Sequence, residues 1–385
     1  MSNEFKYYDI KELEEAAPAA LFYLVFGERS KGKSYSVSKE LTERAYKKDD
    51  KGCFIIIRRT AEEIRPSNAR TYFDAITENN EISEYCTEGK YDRITYYNKA
   101  YYLAYRDPET NKIIKREKPV AYVVNLSTWM NYKSNQYTNV VGVIIEEYLT
   151  YPQFYLPDEE QALQNMLSTI IRNNDGIKIY ALGNTVSKAF NPLHSLLGVS
   201  KIVKEMEQGS IRIVKVNDKL TIALEHTTPG GEKPSDVYFV TGGNSNTADM
   251  ITGKTAWETK VYPHIPEESE RYIKRENLQY TFYIEVTDGD STDYLTMEIY
   301  DPEGEAYPFI YVKKKYSELR YNDDDLVFSN KPKKLSHRIR RNILNPPDDL
   351  GKRILQILTR DNGVFYQTNE AGDILASYIL SCKNV

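Results

Sequence analysis

Cysteine is nearly absent, with 3 in 385 residues: Cys53, Cys86 and Cys382. None is spaced to share a metal with another, and the four histidines, His194, His226, His264 and His337, are scattered. Neither a zinc site nor a disulfide framework is expected, which suits a reducing compartment. Long apolar runs are missing as well. The longest, 19–26, is far short of the roughly 20 residues that span a bilayer, so no membrane partner is expected. The polar start Met1-Ser2-Asn3-Glu4-Phe5, leading into Lys11-Glu12-Leu13-Glu14-Glu15, lacks the pattern of a signal peptide. Excess positive charge is lacking too: 51 Lys and Arg against 56 Asp and Glu give a net charge of −5. That excludes a uniformly basic nucleic-acid coat but leaves room for a local basic channel. No internal repeat is evident. Tyrosine, by contrast, is plentiful at 33 residues, suited to packing on partners or stacking on bases and equally to a compositional habit of the source genome.

One segment carries most of the information. Gly27-Glu28-Arg29-Ser30-Lys31-Gly32-Lys33-Ser34 fits the phosphate-loop pattern G-x-x-x-x-G-K-[ST] throughout. The apolar Leu21-Phe22-Tyr23-Leu24-Val25-Phe26 before it reads as a buried strand. The stretch after it reads as a helix with Val37, Leu41 and Ala45 on one face. Strand, glycine loop and helix together surround a triphosphate with backbone N–H groups and a helix N-terminus. Lys33 is expected to reach the β- and γ-phosphates, and Arg29 either approaches the γ-phosphate or is a solvated loop charge. ATP and Mg2+ are the expected ligands.

Residues 1–205 alternate strand and helix. Strands are expected at 21–26, 54–58, 120–125, 140–145 and 177–182, with helices at 34–47, 68–78 and 159–171. Continuous apolar strands between helices imply an α/β fold with a mostly parallel sheet covered on both faces. A tyrosine-rich insertion, about 91–117, suggests a hairpin at Asp107-Pro108-Glu109-Thr110-Asn111. A linker or lid module is expected over 206–262, with short strands at 211–216 and 220–224 and glycine-rich turns beyond. Residues 263–385 read as a smaller α+β domain: strands at 280–286, 294–300 and 309–313, helices at 335–344 and 347–359, a strand at 364–367 and a last helix near 369–380.

The loop needs an acidic partner at the end of a buried strand beside its own. Val140-Val141-Gly142-Val143-Ile144-Ile145 ends in Glu146-Glu147. Glu146 is the candidate for the metal's hydration shell beside Ser34, and Glu147 for deprotonating the attacking water. Such a pair marks hydrolysis, not transfer to a substrate hydroxyl. Asn184 ends the strand 177–182 region and is the candidate γ-phosphate sensor, or else a turn residue. Arg172 closes the helix with Leu163, Met166, Leu167 and Ile170 on one face. It is a candidate arginine finger for a neighbouring subunit or simply a cation at a helix C-terminus. Lys133 is a second candidate for a residue acting across subunits; Arg58 and Arg59 read equally as site residues or salt-bridge partners. The segment 248–255, ending Gly253-Lys254-Thr255, fits a relaxed loop pattern but has no strand before it.

With Gly27 to Ser34, Glu146-Glu147 and Asn184 in place, the first 200 residues resemble the genome-packaging ATPases of φ29-like phages. These are relatives of large terminases in the additional-strand, catalytic-glutamate class of P-loop NTPases. The strand end Ile57-Arg58-Arg59-Thr60, Arg172 after its helix, and Asn184-Thr185-Val186-Ser187 with Asn191-Pro192 complete the likeness. One departure is Glu146, where the family usually has Asp. The resemblance implies a homo-oligomeric ring, usually a pentamer, at the portal of an empty capsid in the host cytoplasm, driving double-stranded DNA inside. It implies Glu147 as catalytic glutamate, with Arg172 and Lys133 reaching across subunits. It also implies a vestigial ribonuclease-H-like C-terminal domain; Asp288 and Asp290 are expected as turn residues, so nuclease activity is not. Lys313-Lys314-Lys315 and the cluster Lys331, Lys333, Lys334, Arg338, Arg340 and Arg341 are candidates for DNA or portal contact, or a solvated face balancing Asp323-Asp324-Asp325. The runners-up are another P-loop translocase or a repair ATPase of a mobile element, and a nucleotide-gated scaffold without sustained turnover. The residues give neither ring size nor any packaging-RNA partner.

Overall fold

The computed structural model describes all residues except 1–6, 30, 50, 173, 175, 185–190, 229–261, 303, 305, 321, 323, 333–335, 337 and 383–385. Two compact units emerge. The first gathers the described residues of 1–150, 159–185 and 206–253; the second gathers those of 151–158, 186–205 and 254–385. The 248–255 segment lies outside the described residues.

The first unit is built on β1 (Phe22–Gly27), β2 (Cys53–Arg58), β3 (Arg93–Tyr97), β4 (Ala100–Arg106), β5 (Ile113–Lys115), β6 (Ala121–Asn125), β7 (Val140–Glu146), β8 (Lys178–Asn184), β9 (Ile211–Lys215) and β10 (Thr221–His226). They form one ten-stranded sheet of order β3-β4-β6-β2-β7-β8-β1-β10-β9, with β5 added beside β4. From β6 to β10 the neighbours run parallel. Every residue of β1 is buried, which explains its unbroken apolar sequence. Helices α1 (Ile10–Ala16), α2 (Lys33–Lys48), α3 (Pro66–Ala69), α4 (Asp74–Glu78) and α5 (Glu159–Ile171) accompany the sheet. Leu13, Tyr23, Leu41, Phe54, Ile56, Ile144 and Tyr180 belong to one core beneath α1 and α2. Leu41 sits so close to β7 that a Cβ at Gly142 would lie 2.6 Å from it.

Three sequence expectations for this unit change. The acidic strand β7 is not next to the loop strand; β8 lies between them. This is the inserted strand that the additional-strand class implies, and the apolar sequence of a buried parallel strand does not reveal its neighbours. The helix expected over 68–78 is two short pieces, α3 and α4, with Tyr72 in the turn between. The strands expected in a separate module at 206–262 extend the main sheet, since β10 pairs with β1 from Phe22↔Ile222 to Phe26↔His226.

The second unit holds α6 (Pro192–Leu197) and α7 (Ser200–Glu205), then β11 (Leu278–Asp288), β12 (Ser291–Tyr300), β13 (Phe309–Lys315), β14 (Val327–Ser329), β15 (Ile339–Arg340), α8 (Asp349–Thr359), β16 (Val364–Tyr366) and α9 (Asn369–Cys382). Its six strands are ordered β15-β14-β11-β12-β13-β16, an antiparallel meander of three flanked by parallel strands. Alternate residues of β11 and β12, among them Phe282, Ile284, Leu295 and Met297, are buried against Ile354, Ile374 and Tyr378. The helix expected at 335–344 is not formed by its described residues: Ile339–Arg340 pairs with β14 instead. Ile339 and Ile343 lie at helical spacing, a pattern that a short strand followed by a turn satisfies equally. Among the described residues no helix is long and apolar enough to cross a membrane.

Candidate active site

The phosphate loop leaves β1 and turns into α2 through Gly32, whose φ of 88° lies in the left-handed region where a side chain is strained. Gly27 has φ 156°, and a Cβ there would lie 2.0 Å from Thr227 Oγ1. Both glycines are therefore demanded by geometry. Lys33 Nζ donates to Glu28 O at 2.6 Å, to Gly27 O at 3.4 Å and to Asn184 Oδ1 at 3.3 Å. The lysine is thus curled over its own loop and touches the end of β8.

Ser34 Oγ donates to Glu146 Oε2 at 2.9 Å, so the loop hydroxyl and the buried strand-end carboxylate meet directly. Tyr72 OH donates to the other oxygen of Glu146. Burial, reinforced by Glu146, holds the Tyr72 phenol well above its ordinary pKa and therefore as a donor. Arg58 lies 5.4 Å from the centre of the Tyr72 ring. Burial works against its charge, but Glu146 and Tyr72 raise its pKa overall.

Glu147 follows β7, is exposed, and takes φ 50°. A left-handed backbone at a residue with a side chain costs about 1–2 kcal/mol. Arg59 Nη1 donates to the Glu147 carbonyl at 3.1 Å, and Nη2 to that of Tyr148 at 3.3 Å. Lys33, Ser34, Glu146, Glu147 and Asn184 line one cleft of about 430 Å³, together with Arg29, Lys31, Gly32 and Tyr35. Lys31 is buried and its ammonium donates to the carbonyl and, at 2.9 Å, the hydroxyl of Thr228. Glu28 is buried and accepts from Gln208 Nε2 at 3.4 Å; Arg29 is exposed. Ser30 lies outside the described residues.

The donor set fits a magnesium-bound triphosphate. A serine hydroxyl and a carboxylate are the hard oxygen groups that cation prefers, and the start of α2 presents backbone N–H groups to anionic oxygens. The cleft is thus chemically suited to a polyphosphate, and the Glu147 carboxylate lines it.

Other candidates are not among the residues lining the cleft. Arg172 is exposed just past α5, and among the described residues it has no ion-pair partner. Lys133 is exposed with its ammonium 4.4 Å from the Trp129 ring. In the second unit Arg340 makes a two-point pair with Asp348 at 3.1 and 2.6 Å, which takes it out of any free basic stripe. Lys313 is paired with Glu298 at 2.6 Å, and Lys314 with Glu370. Lys331 and Arg341 are exposed and Arg338 half-buried; Lys333, Lys334, Lys254 and Asp323 lie outside the described residues. Sequence reasoning missed Tyr72 and Thr228, which no local pattern marks, and left Arg59 undecided.

Residues 108–227 match a family model described as "Podovirus DNA encapsidation protein (Gp16)". The phosphate loop lies outside that match, whereas Glu146, Glu147, Arg172 and Asn184 lie within it. The DNA packaging protein of Bacillus phage phi29 is 24% identical over 204 residues, 52% of this chain and 54% of that protein. The DNA packaging protein of Bacillus phage B103 is 27% identical over 177 residues, 46% of this chain and 47% of that protein. These matches span about half the length of the curated relatives. A chain of the solved bacteriophage Phi-29 viral genome packaging motor assembly aligns over 98% of this chain and 99% of its own, with TM-score 0.51 and 15% identity, a likeness of fold. The family model over 108–227 and the related sequences agree with the resemblance read from the residues: this part of the chain is similar to the podovirus DNA encapsidation proteins.

Proposed function

We propose that this chain is the ATP-hydrolysing motor of phage genome packaging, moving double-stranded DNA into an empty capsid. The observation that carries the reading is the convergence of Lys33, Ser34, Glu146, Glu147 and Asn184 on one cleft at the ends of β1, β7 and β8. Lys33 and the loop amides hold the β- and γ-phosphates. Ser34 and Glu146 hold magnesium, directly or through its water; the metal, when bound, offsets phosphate charge. Glu147 orients the attacking water and takes its proton. Asn184, already within 3.3 Å of Lys33, responds to loss of the γ-phosphate.

Hydrolysis is coupled to translocation in a homo-oligomeric ring, a pentamer, docked on the portal in the host cytoplasm. Arg172 and Lys133 act in the neighbouring subunit's site, to which their exposure is suited. The three-domain division at 205 and 262 is kept as the functional one, with 206–228 serving the ATPase sheet and the described residues of 151–158 and 186–205 grouping with the second unit. The second unit is a ribonuclease-H-like domain without nuclease activity that meets DNA or the portal, and its meander with flanking parallel strands supports that outline.

The test is the ATPase rate of purified chain alone, with double-stranded DNA, and with portal-bearing empty capsids. DNA stimulation together with DNA protected inside capsids is expected. Stimulation without packaging favours another translocase or a repair ATPase; binding without turnover favours a nucleotide-gated scaffold. Either result contradicts the proposal. The same assembly, with and without added RNA, reads out whether an RNA scaffold is used.

A further inference from the structure

Among the described residues, eight non-glycine residues take positive φ: Asn80, Asn98, Asn111, Asn139 and Asn362, with Glu88, Lys99 and Glu147. Asparagine tolerates that backbone; glutamate has no such licence. Glu88 and Lys99 take it in turns; Glu147 takes it, at φ 50°, directly after a buried strand. A strained residue at a strand end persists only when its surroundings hold it there.

The holder is Arg59. It follows β2, the strand beside β7 on the side away from the phosphate loop. Arg59 is 8% exposed, and its guanidinium forks onto two successive carbonyls, those of Glu147 at 3.1 Å and Tyr148 at 3.3 Å. Its Nε and Nη2 face the carboxylate of Glu159, 3% exposed, at 2.9 to 3.1 Å. From the opposite side, Tyr148 N–H donates to Leu182 O of β8 at 3.2 Å. The two peptide units after Glu146 are therefore gripped between β2 and β8.

A buried arginine is costly, and its charge needs the glutamate. The rigid planar fork is what a flexible ammonium cannot supply. The carbonyl that Arg59 holds belongs to the residue whose side chain enters the cleft.

We propose that Arg59, oriented by Glu159, is the positioning residue for Glu147: it fixes the left-handed turn that aims the carboxylate at the attacking water. This rests on the reading of Glu147 as the base. A base displaced by about 1 Å loses on the order of 100-fold in rate while ground-state binding is untouched. The role therefore predicts a split between turnover and affinity, which a purely structural ion pair does not.

The experiment compares the full-length chain with Arg59→Lys, Arg59→Met/Glu159→Met and Glu147→Gln. Each is assayed for binding of a fluorescent ATP analogue with Mg2+ and for single-turnover ATP hydrolysis. The double variant removes both buried charges at once, so no lone charge is left behind. It is expected to bind the analogue within about 3-fold of the parent and to hydrolyse roughly 100-fold more slowly. Arg59→Lys keeps the pair with Glu159 but not the fork; it is expected to fold, bind normally and recover part of the rate. Hydrolysis at the parental rate in either Arg59 variant, with Glu147→Gln inactive, overturns the inference and leaves the role of Glu147 standing. Equal losses of binding and turnover also overturn it. Hydrolysis by Glu147→Gln overturns the role of Glu147 itself. Should the double variant not fold, Arg59→Lys alone decides.

Discussion

Glu146 shares its carboxylate between the Ser34 hydroxyl and the Tyr72 phenol. A hydrogen bond to a charged acceptor contributes about 1.5–3 kcal/mol, so each partner bears on how the carboxylate would meet the metal proposed there. Tyr72→Phe leaves the ring and removes one donor. The expected result is a roughly tenfold or larger rise in the Mg2+ concentration needed for half-maximal hydrolysis. Metal-free binding of an ATP analogue is expected to be unchanged, as titration with and without Mg2+ will measure; an unaltered Mg2+ requirement removes Tyr72 from the site. Residues of this site differ in how visibly the chain announces them. Lys33 and Ser34 are fixed by spacing within eight residues. Tyr72 reaches Glu146 across 74 positions and Arg59 reaches Glu159 across 100, distances at which no periodicity speaks.

Single elements reveal a different balance. The end of β11 carries Asp288, expected in the sequence as an ordinary turn aspartate, and the structure buries it to 3% exposure. Burial pushes its carboxyl up to about 6, offset in part by the Lys204 ammonium and by Ser200 and Ser195. Its unfolded value is 3.8. The folded chain therefore holds an extra proton between about pH 4 and 6. The stabilising effect of the neutral carboxyl is complete below pH 4 and is lost as pH rises through 6. Asp288→Asn keeps the shape without the charge. Relative to the parent it is expected to gain stability over that window, by up to about 3 kcal/mol at neutral pH. Denaturant unfolding at pH 4 and pH 7 checks this, and a constant difference at both contradicts it. Buried His194, held down to about 3 by its own burial and Lys204, is common to both proteins and cancels in the comparison. Elements with a saturated apolar pattern, such as β1, β2 and β7, were legible because burial on both faces writes itself into the composition. The order of those strands was not, because β7 and β8 carry the same kind of sequence. The break at Tyr72 was hidden for a further reason: the short helices α3 and α4 on either side leave too few turns for a period.

For the whole molecule, the claims are that one cleft hydrolyses ATP and that subunits complete one another's sites. If Arg172 acts across the boundary, Arg172→Ala subunits mixed with Glu147→Gln subunits should hydrolyse more than either alone, since some sites then pair an intact base with an intact arginine. Absence of rescue at every mixing ratio counts against Arg172. The two-unit division also explains what composition concealed at this scale: the described residues of 186–205 join the second unit although they follow the strands of the first unit in the chain. Chain order and spatial grouping part company there, and the apolar spacing of α6 and α7 is the same in either unit. The most direct measurement is a paired assay on Glu147→Gln, recording ATP-analogue binding with Mg2+ and hydrolysis in the presence of double-stranded DNA. Binding close to the parental affinity with hydrolysis reduced to background is the predicted result; sustained hydrolysis, or no nucleotide bound by either protein, contradicts the account.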